Sequence, residues 1–225
     1  REGEILSLLG ENGSGKTTLM NMLAGIYFPD DGEILIGGKP VSIRSPKDAV
    51  RYGIGYLSED RKRYGLCLNL SVADNTVLPS LEQIFKGPFV HDKKAQRLAQ
   101  EHAEQIRTKT PSVRARVGSL SGGNQQKVVI AKWLDTAPQI LILNEPTRGV
   151  DVGAKVEIYN LMNQLKKQGI AVMFVSSEMP EVLGIADRVI VMCDGRITGE
   201  VIAKETTQNE VLKFATEFEQ KKAVG

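Results

Sequence analysis

One segment near the start of the chain constrains the fold more than any other. Residues 10–17 read Gly-Glu-Asn-Gly-Ser-Gly-Lys-Thr, which fits the pattern G-x-x-x-x-G-K-[ST] at every defined position. An apolar strand, 4–9, precedes it, and a run with helical spacing, 16–24, follows it. Glycines let backbone N–H groups turn inward around an anion, and a helix N-terminus adds partial positive charge. The segment therefore predicts a phosphate-binding loop, called the phosphate loop below.

Two side chains of the phosphate loop have predicted roles. Lys16 is expected to reach the β- and γ-phosphates of a nucleotide, and the Thr17 hydroxyl to ligate Mg²⁺. The predicted nucleotide-binding residues here are Gly10, Glu11, Asn12, Gly13, Ser14, Gly15, Lys16, Thr17 and Thr18. The alternative is a glycine-rich strand–helix turn that contains Lys-Thr by chance. It is disfavoured because the strand, the helix and every motif position are present together.

Composition excludes several classes of protein. The 225 residues are 41% hydrophobic and 25% charged, a balance typical of one globular α/β domain. The longest apolar run, 170–175, is far shorter than the ~20 residues that a membrane span needs. A net charge of +2 gives no reason to expect a nucleic-acid partner. Cys67 and Cys193 have no metal-binding spacing and fit a reducing compartment. These observations predict a cytoplasmic protein.

Hydrophobic periodicity predicts two amphipathic helices. One spans 91–106, and the other runs from a capping Asp151 to Gln168, where Gly169 ends it. The apolar residues expected on the buried face of the second helix are Ile158, Leu161, Met162 and Leu165. Strands alternate with such helices along the chain, which favours a mainly parallel sheet.

A second apolar strand ends in candidate catalytic residues. Residues 140–143 read Ile-Leu-Ile-Leu, and Asn144 and Glu145 follow. Enzymes with a phosphate loop need an acidic residue at the end of a neighbouring strand. Glu145 is therefore predicted to orient or deprotonate an attacking water. Asn144 stands where an aspartate is expected and carries no charge, so we expect weaker Mg²⁺ binding or slower turnover.

A third motif precedes an apolar helix. Residues 120–127 read Leu-Ser-Gly-Gly-Asn-Gln-Gln-Lys, and the helix follows at 128–134. Ser121 and the two glycines would place a hydroxyl and free N–H groups at a helix N-terminus, which is a second anion site. Taken alone, Ser-Gly-Gly is more simply a helix cap. The motif gains its meaning from its position between the phosphate loop and Glu145.

The three motifs in this order resemble the ATP-binding cassette (ABC) transporter ATPases, whose signature is an LSGGQ-type sequence. The form at 120–128 most resembles the simple-sugar import ATPases of bacteria, such as those for ribose, galactose or autoinducer-2. Further matches at 59–63, 145–155 and 176–184 extend the resemblance over nearly the whole chain. It implies an α/β P-loop NTPase fold, the ABC ATPase core, with a mainly parallel sheet, antiparallel β additions and a helical subdomain insertion.

The resemblance also implies a domain organisation. We expect a single ABC ATPase domain over 1–225, with a nucleotide-binding core at 1–57 and 138–225 and a helical signature subdomain at 58–137. The first strands of the usual domain, with the aromatic residue that stacks on adenine, are expected to be absent, because the chain begins shortly before Gly10.

In that family two ATPase domains pair head to tail, and each phosphate loop faces the signature of the other domain. The residues implied to bind the nucleotide held by the partner domain are Ser121, Gly122, Gly123 and Gln125. Asp151 falls in the loop that communicates between the two sites. The segment after Glu59 is implied to dock a transmembrane permease subunit, and a solute-binding protein would act indirectly. These partners imply a protein that is peripheral on the cytoplasmic face of the inner membrane.

The chain departs from the family pattern at further positions. Glu59 occupies the position of a glutamine that senses Mg²⁺, and Ser177 that of a histidine which contacts the γ-phosphate. The implied cofactors are ATP and Mg²⁺, and the implied metal-binding residues are Thr17, Glu59 and Asn144. In fused sugar importers the second ATPase domain usually has Glu and Ser at these positions, but a degraded phosphate loop. This chain combines a complete, first-domain-like loop with a second-domain-like body.

We therefore expect an ATP-binding and hydrolysing subunit that energises import of a sugar or sugar-like solute. One alternative is a nucleotide-gated dimerisation module with little turnover, which Asn144 and Ser177 would suit. Another is a non-transport ABC ATPase acting on DNA or the ribosome, which the near-neutral charge disfavours.

Overall fold

A six-stranded sheet carries the candidate site. The computed structural model describes residues 1–86 and 89–223. The strands are β1 (Ile5–Leu9), β2 (Ile34–Ile36), β3 (Lys39–Val41), β4 (Ile54–Leu57), β5 (Phe85–Lys86), β6 (Phe89–Val90), β7 (Ile140–Asn144), β8 (Ala171–Val175), β9 (Arg188–Cys193) and β10 (Arg196–Ile202). The sheet has the order β10-β9-β1-β8-β7-β4. All neighbouring pairs in it are parallel except β9 and β10.

Helices flank the sheet and fill the segment between β4 and β7. They are α1 (Lys16–Leu23), α2 (Pro46–Arg51), α3 (Val72–Val77), α4 (Leu81–Ile84), α5 (Asp92–Gln105), α6 (Gly122–Leu134), α7 (Val152–Lys167), α8 (Met179–Ile185) and α9 (Gln208–Ala223). The predicted α/β fold with a mainly parallel sheet and antiparallel additions is confirmed, the additions being the β2–β3 hairpin and β10. Among the described residues, no helix is both long and apolar enough to span a membrane.

The central strand β1 sets the position of the phosphate loop. It pairs with β8 on one side and β9 on the other, and its Ile5 and Leu8 are almost completely buried. Leu8 and Asn144 both lie opposite Val175 of β8. Because β1, β7 and β8 are parallel, their carboxyl ends meet at one edge of the sheet, which is where such folds bind ligands. The phosphate loop, Glu145 and Ser177 therefore share that edge.

The predicted helix after Asp151 is confirmed as α7. The Asp151 carboxylate accepts a hydrogen bond of 3.0 Å from the Ala154 N–H, which makes it the N-cap. The buried residues of α7 are those that the periodicity predicts: Ile158, Leu161, Met162 and Leu165. Each buried aliphatic side chain stabilises the fold by about 1.5–3 kcal/mol. Gly169 follows the helix with φ +86°, a value that favours glycine.

The segment between β4 and β7 is mostly helical, as expected. The predicted amphipathic helix is α5, with Ala95, Ala99 and Ala103 buried. The short β5–β6 pair and helix α8 elsewhere in the chain were not expected from the sequence. Helix α6 packs on α3 and β4, and its buried Val129 and Ile130 belong to the core cluster that also includes strand residues of β7. The division at 58–137 stays a prediction.

Candidate functional site

The phosphate loop connects β1 to α1 in a conformation that requires glycine. Gly15 has φ +97° and precedes the first turn of α1. A Cβ atom on Gly10 would lie 2.1 Å from the Met192 carbonyl oxygen and 2.6 Å from the Ser14 Oγ. The β9–β10 hairpin also supports the loop, since the Gly195 N–H donates to the Ser14 carbonyl at 3.1 Å. Backbone geometry thus determines the loop's shape.

The Lys16 amine lies inside the phosphate loop. Its Nζ donates hydrogen bonds to the carbonyl oxygens of Gly10 (2.7 Å) and Glu11 (2.8 Å), and to the Ser14 Oγ (3.2 Å). Burial lowers the pKa of Lys16, while the nearby carboxylates of Glu145 and Glu11 oppose that change. A positive charge held among N–H groups at a helix N-terminus suits a bound phosphate. Such a phosphate would offer Lys16 a stronger partner than the two carbonyls.

Thr17 and Thr18 lie in the first turn of α1, and both are exposed. In the part of the chain that the structure describes, neither hydroxyl makes a side-chain hydrogen bond. The fit of this loop to a triphosphate therefore depends on hydroxyls, N–H groups and one amine. The chemistry matches an anion and not a neutral ligand.

Glu145 lies at the carboxyl end of β7 with an unusual backbone. Its φ is +50°, which is uncommon for a residue other than glycine, and its N–H donates to the Val175 carbonyl at 3.0 Å. The Ser177 hydroxyl donates to its carboxylate at 3.3 Å. Burial raises the pKa of Glu145, and the hydrogen bonds from Ser177 act in the opposite direction. A half-buried carboxyl group with a raised pKa is suited to accepting a proton from water.

The three predicted metal-binding residues line one cleft. Thr17, Glu59 and Asn144 all border a cavity of about 660 Å³ beside the phosphate loop. Asn144 is only 2% exposed, whereas the Glu59 carboxylate is half exposed and accepts a hydrogen bond of 2.9 Å from Arg148. The structure thus brings these predicted residues together.

These donors fit a divalent cation only in the company of a phosphate. Within residues 1–86 and 89–223, no group of three or more His, Cys, Asp or Glu side chains could hold a metal. A hydroxyl, an amide and one carboxylate are all oxygen donors, as Mg²⁺ prefers. Mg²⁺ is usually held by one or two carboxylates, waters and substrate phosphates. The cleft is therefore compatible with Mg²⁺ that arrives with a nucleotide.

A second pocket forms where α6 and α7 begin. Its lining includes Ser121, Gly123, Asn124, Asp151 and Ala154, and we call it the signature pocket. It encloses about 250 Å³ and shares no lining residue with the cleft beside the phosphate loop. The predicted residues thus form two separate sets, one at the sheet edge and one at the two helix starts.

Close approach explains both glycines of the signature sequence, Gly122 and Gly123. A Cβ on Gly123 would lie 2.6 Å from the Ala154 Cβ, and one on Gly122 would lie 2.8 Å from the Arg61 guanidinium. The same guanidinium donates to the Arg148 carbonyl at 2.9 Å. Arg61 thus connects the segment after Glu59 to the start of α6 and to the loop before α7. Local sequence patterns do not predict this contact, because Arg61 and Arg148 are 87 positions apart.

The prediction for Gln125 requires a correction. Its side chain is 5% exposed and lies in the interior, where its amide donates to the Leu120 carbonyl at 3.1 Å. Because α6 begins at Gly122, position 125 rotates toward the core. Asn124 faces the pocket instead, and its amide donates to the Ser121 Oγ at 2.8 Å. The helical period of α6 is the signal that would have identified Asn124.

Curated proteins similar to this chain are sugar-import ATP-binding proteins by name. A putative ribose/galactose/methyl galactoside import ATP-binding protein of Geobacillus kaustophilus is 50% identical over 216 residues, 96% of this chain and 43% of that protein. Ribose import ATP-binding protein RbsA of Lactococcus lactis is 48% identical over 216 residues, 96% of this chain and 44% of that protein. Xylose import ATP-binding protein XylG of Thermoanaerobacter pseudethanolicus is 46% identical over 217 residues, with 96% and 43% covered. The chain spans less than half the length of these relatives.

Solved structures agree on the fold. A nucleotide-free ATP-binding cassette from an ABC transporter superposes with a TM-score of 0.80 at 24% identity, covering 95% of this chain and 88% of that chain. The cbiO1 protein of Clostridium perfringens, part of the ABC transporter complex cbiONQ, has a TM-score of 0.77 at 26% identity, with 97% and 84% covered. The dimeric bacterial ABC transporter cassette MJ0796 has a TM-score of 0.75 at 25% identity, with 91% and 87% covered.

The sequence model of one family matches residues 1–148, which is more than half of the chain, and that family is described as ABC transporter. The match contains the phosphate loop, the signature sequence and Glu145. On the strength of this match, and of a fold shared with solved ATP-binding cassettes, the chain belongs to the ABC transporter family.

Proposed function

We propose that the chain is the nucleotide-binding domain of an importer and hydrolyses ATP to drive uptake of a sugar or sugar-like solute. The observation that carries the proposal is the meeting of Lys16 and Glu145 at one sheet edge, near enough for their charges to interact. Lys16 would bind phosphate, and Glu145 would orient or deprotonate the attacking water. Nucleotide binding is a property of the family, which supports the first of these two roles.

The names of the relatives support the solute class. Ribose, galactose and xylose import ATP-binding proteins are 46–50% identical to this chain. An import function also suits the sequence match at 120–128 better than a role on DNA or the ribosome does, because these relatives are import ATP-binding proteins by name. Sugar or sugar-like solutes are therefore the proposed cargo.

We assign the proposed nucleotide contacts to residues of the phosphate loop and to Ser177. Mg²⁺, bound together with ATP, would be held by Thr17, Glu59 and Asn144, which line one cleft. When bound, the metal would neutralise phosphate charge. Asn144 and Glu59 contribute only one charge between them, so the phosphates would supply most of the attraction for the cation.

We further propose that two such domains pair head to tail. The signature pocket is separate from the phosphate loop within one chain, so its Ser121 hydroxyl would contact a nucleotide only across a dimer. The dimeric cassette MJ0796, which shares the fold, supports this arrangement. The exposed Val152 of α7, 79% accessible beside Asp151, would be covered by the partner domain.

A transmembrane permease is the proposed second partner, with the segment after Glu59 as its docking site. A solute-binding protein would act through that permease. This assembly would hold the chain on the cytoplasmic face of the membrane. The exposed Tyr64 in the π-helical turn Arg61–Gly65 supplies an apolar contact suitable for such docking.

The burial of Asn144 favours a second candidate function. The last residue of β7 is an uncharged amide that is 2% exposed, so position 144 gives the metal no charged oxygen. A domain of this kind could close on ATP and open slowly, acting as a nucleotide-gated dimerisation module with little turnover.

ATP–Mg²⁺ binding and hydrolysis test the proposal. We expect half-saturation at or below millimolar ATP, and we expect Lys16→Ala to weaken binding at least about tenfold through loss of a charge-assisted contact. Lys93→Ala, which changes an exposed lysine on α5, is the matched control and should bind normally. Failure to bind ATP–Mg²⁺ at millimolar concentration would contradict the proposal. Binding with negligible hydrolysis, after transporter assembly, would favour the dimerisation module.

A further inference from the structure

The carboxylate of Glu181 lies at a junction of several segments. Glu181 stands in the first turn of α8 and is 7% exposed. Its Oε2 accepts hydrogen bonds from the Ser176 Oγ at 2.6 Å and the Thr147 Oγ1 at 2.9 Å. Its Oε1 accepts hydrogen bonds from the Tyr159 hydroxyl at 2.5 Å and the Lys155 Nζ at 2.9 Å. One buried side chain therefore receives four donors.

Two of these donors belong to the loops that carry proposed site residues. Thr147 follows β7 and stands two residues after Glu145. Ser176 follows β8 and stands directly before Ser177. The two loops also meet at the sheet edge, where the Ser177 hydroxyl donates to the Glu145 carboxylate at 3.3 Å. Glu181 joins the same loops one layer deeper, with shorter hydrogen bonds.

The other two donors come from α7. Lys155 and Tyr159 are four residues apart, so they lie on one face of that helix. The N-cap of α7 is Asp151, which lines the signature pocket. The Lys155 amine contacts a second carboxylate as well, that of Glu178, which is 57% exposed. Glu178 therefore shares Lys155 with Glu181 but has no side-chain bond to either loop in the described residues.

Hydrogen bonds stabilise the ionised form of Glu181. Burial alone would raise the pKa of this carboxyl, but hydrogen bonds from Ser176, Tyr159 and Lys155 outweigh burial and lower it. An ionised carboxylate accepts hydrogen bonds only, whereas an amide of the same shape also presents two donors. In a Glu181→Gln variant the amide N–H groups would therefore face some of the four donors, which they cannot accept from. The variant would leave no cavity, because the two side chains have the same shape.

We propose that Glu181 is a positioning residue, which holds the loops of Glu145 and Ser177 in one arrangement with helix α7. Its part in hydrolysis rests on the proposed function, because Glu181 acts on the reaction only through Glu145 and Ser177. Movement of α7 at the signature pocket would reach the two loops through the same carboxylate. The competing explanation is that Glu181 only forms a buried ion pair with Lys155. That explanation predicts no change in the order of the two loops when Glu181 is replaced.

Hydrogen exchange of the nucleotide-free chain separates these explanations. In Glu181→Gln we expect the amides of Glu145, Arg148 and Glu178, which are hydrogen-bonded in the two loops, to exchange at least about tenfold faster. Glu178→Gln is the matched control and should leave those amides unchanged. Unchanged loop exchange in Glu181→Gln, or equal increases in both variants, would overturn the proposal. If Glu181→Gln does not fold, Thr147→Val and Ser176→Ala test one loop each by the same criterion.

Hydrolysis tests the consequence. We expect Glu181→Gln to lower kcat about tenfold with KM for ATP changed less than about twofold, since the loops bear on the reacting atoms. The double variant Glu181→Gln/Ser177→Ala should lose less than the product of the two single losses, because both variants disturb the contact between Ser177 and Glu145. Unchanged kcat, or losses that multiply, would overturn this role. If the unchanged chain binds no ATP–Mg²⁺, the proposed function fails, and the exchange experiment still decides the role of Glu181.

Discussion

The phosphate loop and the signature pocket are held in place by different means. The phosphate loop gets its shape from backbone geometry, with Gly10 against the Met192 carbonyl and the Lys16 amine bonded to loop carbonyls. The signature pocket depends on side chains: Asn124 bonds Ser121, and Asp151 caps α7. The first region is organised before any ligand arrives. The second presents polar groups beside the exposed Val152, an arrangement typical of a protein–protein interface.

This difference implies that the two regions contribute to different steps. Binding of ATP to the single chain should depend on the phosphate loop and not on the signature pocket, whereas hydrolysis should depend on both regions. Substitutions in the two regions are therefore expected to separate binding from turnover, and the following four predictions test that separation from the largest effect to the smallest.

Glu145→Gln should give the largest effect on turnover. Removal of a general base costs a factor of about 10²–10⁴, while the amide keeps the size of the side chain. We expect hydrolysis to fall by at least about 100-fold and ATP affinity to stay within about twofold, as measured by phosphate release and equilibrium binding. Glu101→Gln, on the exposed face of α5, is the control. A loss of affinity comparable with the loss of turnover would mean that Glu145 binds the nucleotide.

Gly10→Ala should damage the phosphate loop itself. The added methyl group would meet the Met192 carbonyl at 2.1 Å, so the loop or the hairpin must shift. We expect a decrease of about 1–3 kcal/mol in unfolding free energy and at least about tenfold weaker ATP binding, measured by denaturation and titration. Gly184→Ala is a matched control in α8, where nothing lies within 4 Å, and should not destabilise the chain. Normal ATP binding by Gly10→Ala would contradict the claim that ATP binding depends on the backbone geometry of the phosphate loop.

Ser121→Ala should act on hydrolysis only. The hydroxyl belongs to the signature pocket and shares no cavity with the phosphate loop. We expect ATP binding to the single chain to be unchanged and turnover in the dimer to fall about tenfold, from the loss of one hydrogen bond to a charged phosphate. Parallel titration and turnover assays measure the two effects. If Ser121→Ala weakens binding as much as Lys16→Ala does, then the two regions are not separate.

Asn144→Asp should have the smallest effect and the most selective one. A carboxylate in this 2% exposed position lowers stability without a cation, by about 1–3 kcal/mol. With ATP present, we expect the Mg²⁺ concentration for half-maximal turnover to fall several-fold. Thermal unfolding with and without ATP–Mg²⁺ checks the first effect, and a Mg²⁺ titration checks the second. If the Mg²⁺ concentration for half-maximal turnover does not fall, the reason for linking Asn144 to slow turnover is removed.

Local patterns made much of the fold predictable. The strand–loop–helix order around the phosphate loop, the cap at Asp151 and the buried face of α7 depend on residues close together in the chain, and all three were predicted correctly. The mainly parallel sheet followed from the alternation of strands and helices. In each case the physical cause acts over one helical turn or one strand.

Contacts between distant segments could not be predicted in this way. The assignment of Gln125 is a different case, because it came from the family resemblance and the contacts involved are local. The rotation of α6 turns the Gln125 side chain inward and places Asn124 at the pocket. The junction at Glu181 joins Thr147 to a helix 34 positions later in the chain. Such pairs become neighbours only through sheet order, which a single sequence does not encode locally. The roles proposed for the site residues remain predictions, because each depends on a bound nucleotide or a partner domain.

The contact between the phosphate loop and the β9–β10 hairpin has a consequence for synthesis of the chain. The Gly195 N–H bonds to the Ser14 carbonyl, and β1 pairs with β8 and β9, whose residues are translated long after the loop. A nascent chain that ends before residue 195 therefore lacks the β9–β10 hairpin contact that supports its phosphate loop. During translation, the ability to hold a nucleotide should appear late and abruptly, once the hairpin has left the ribosomal tunnel.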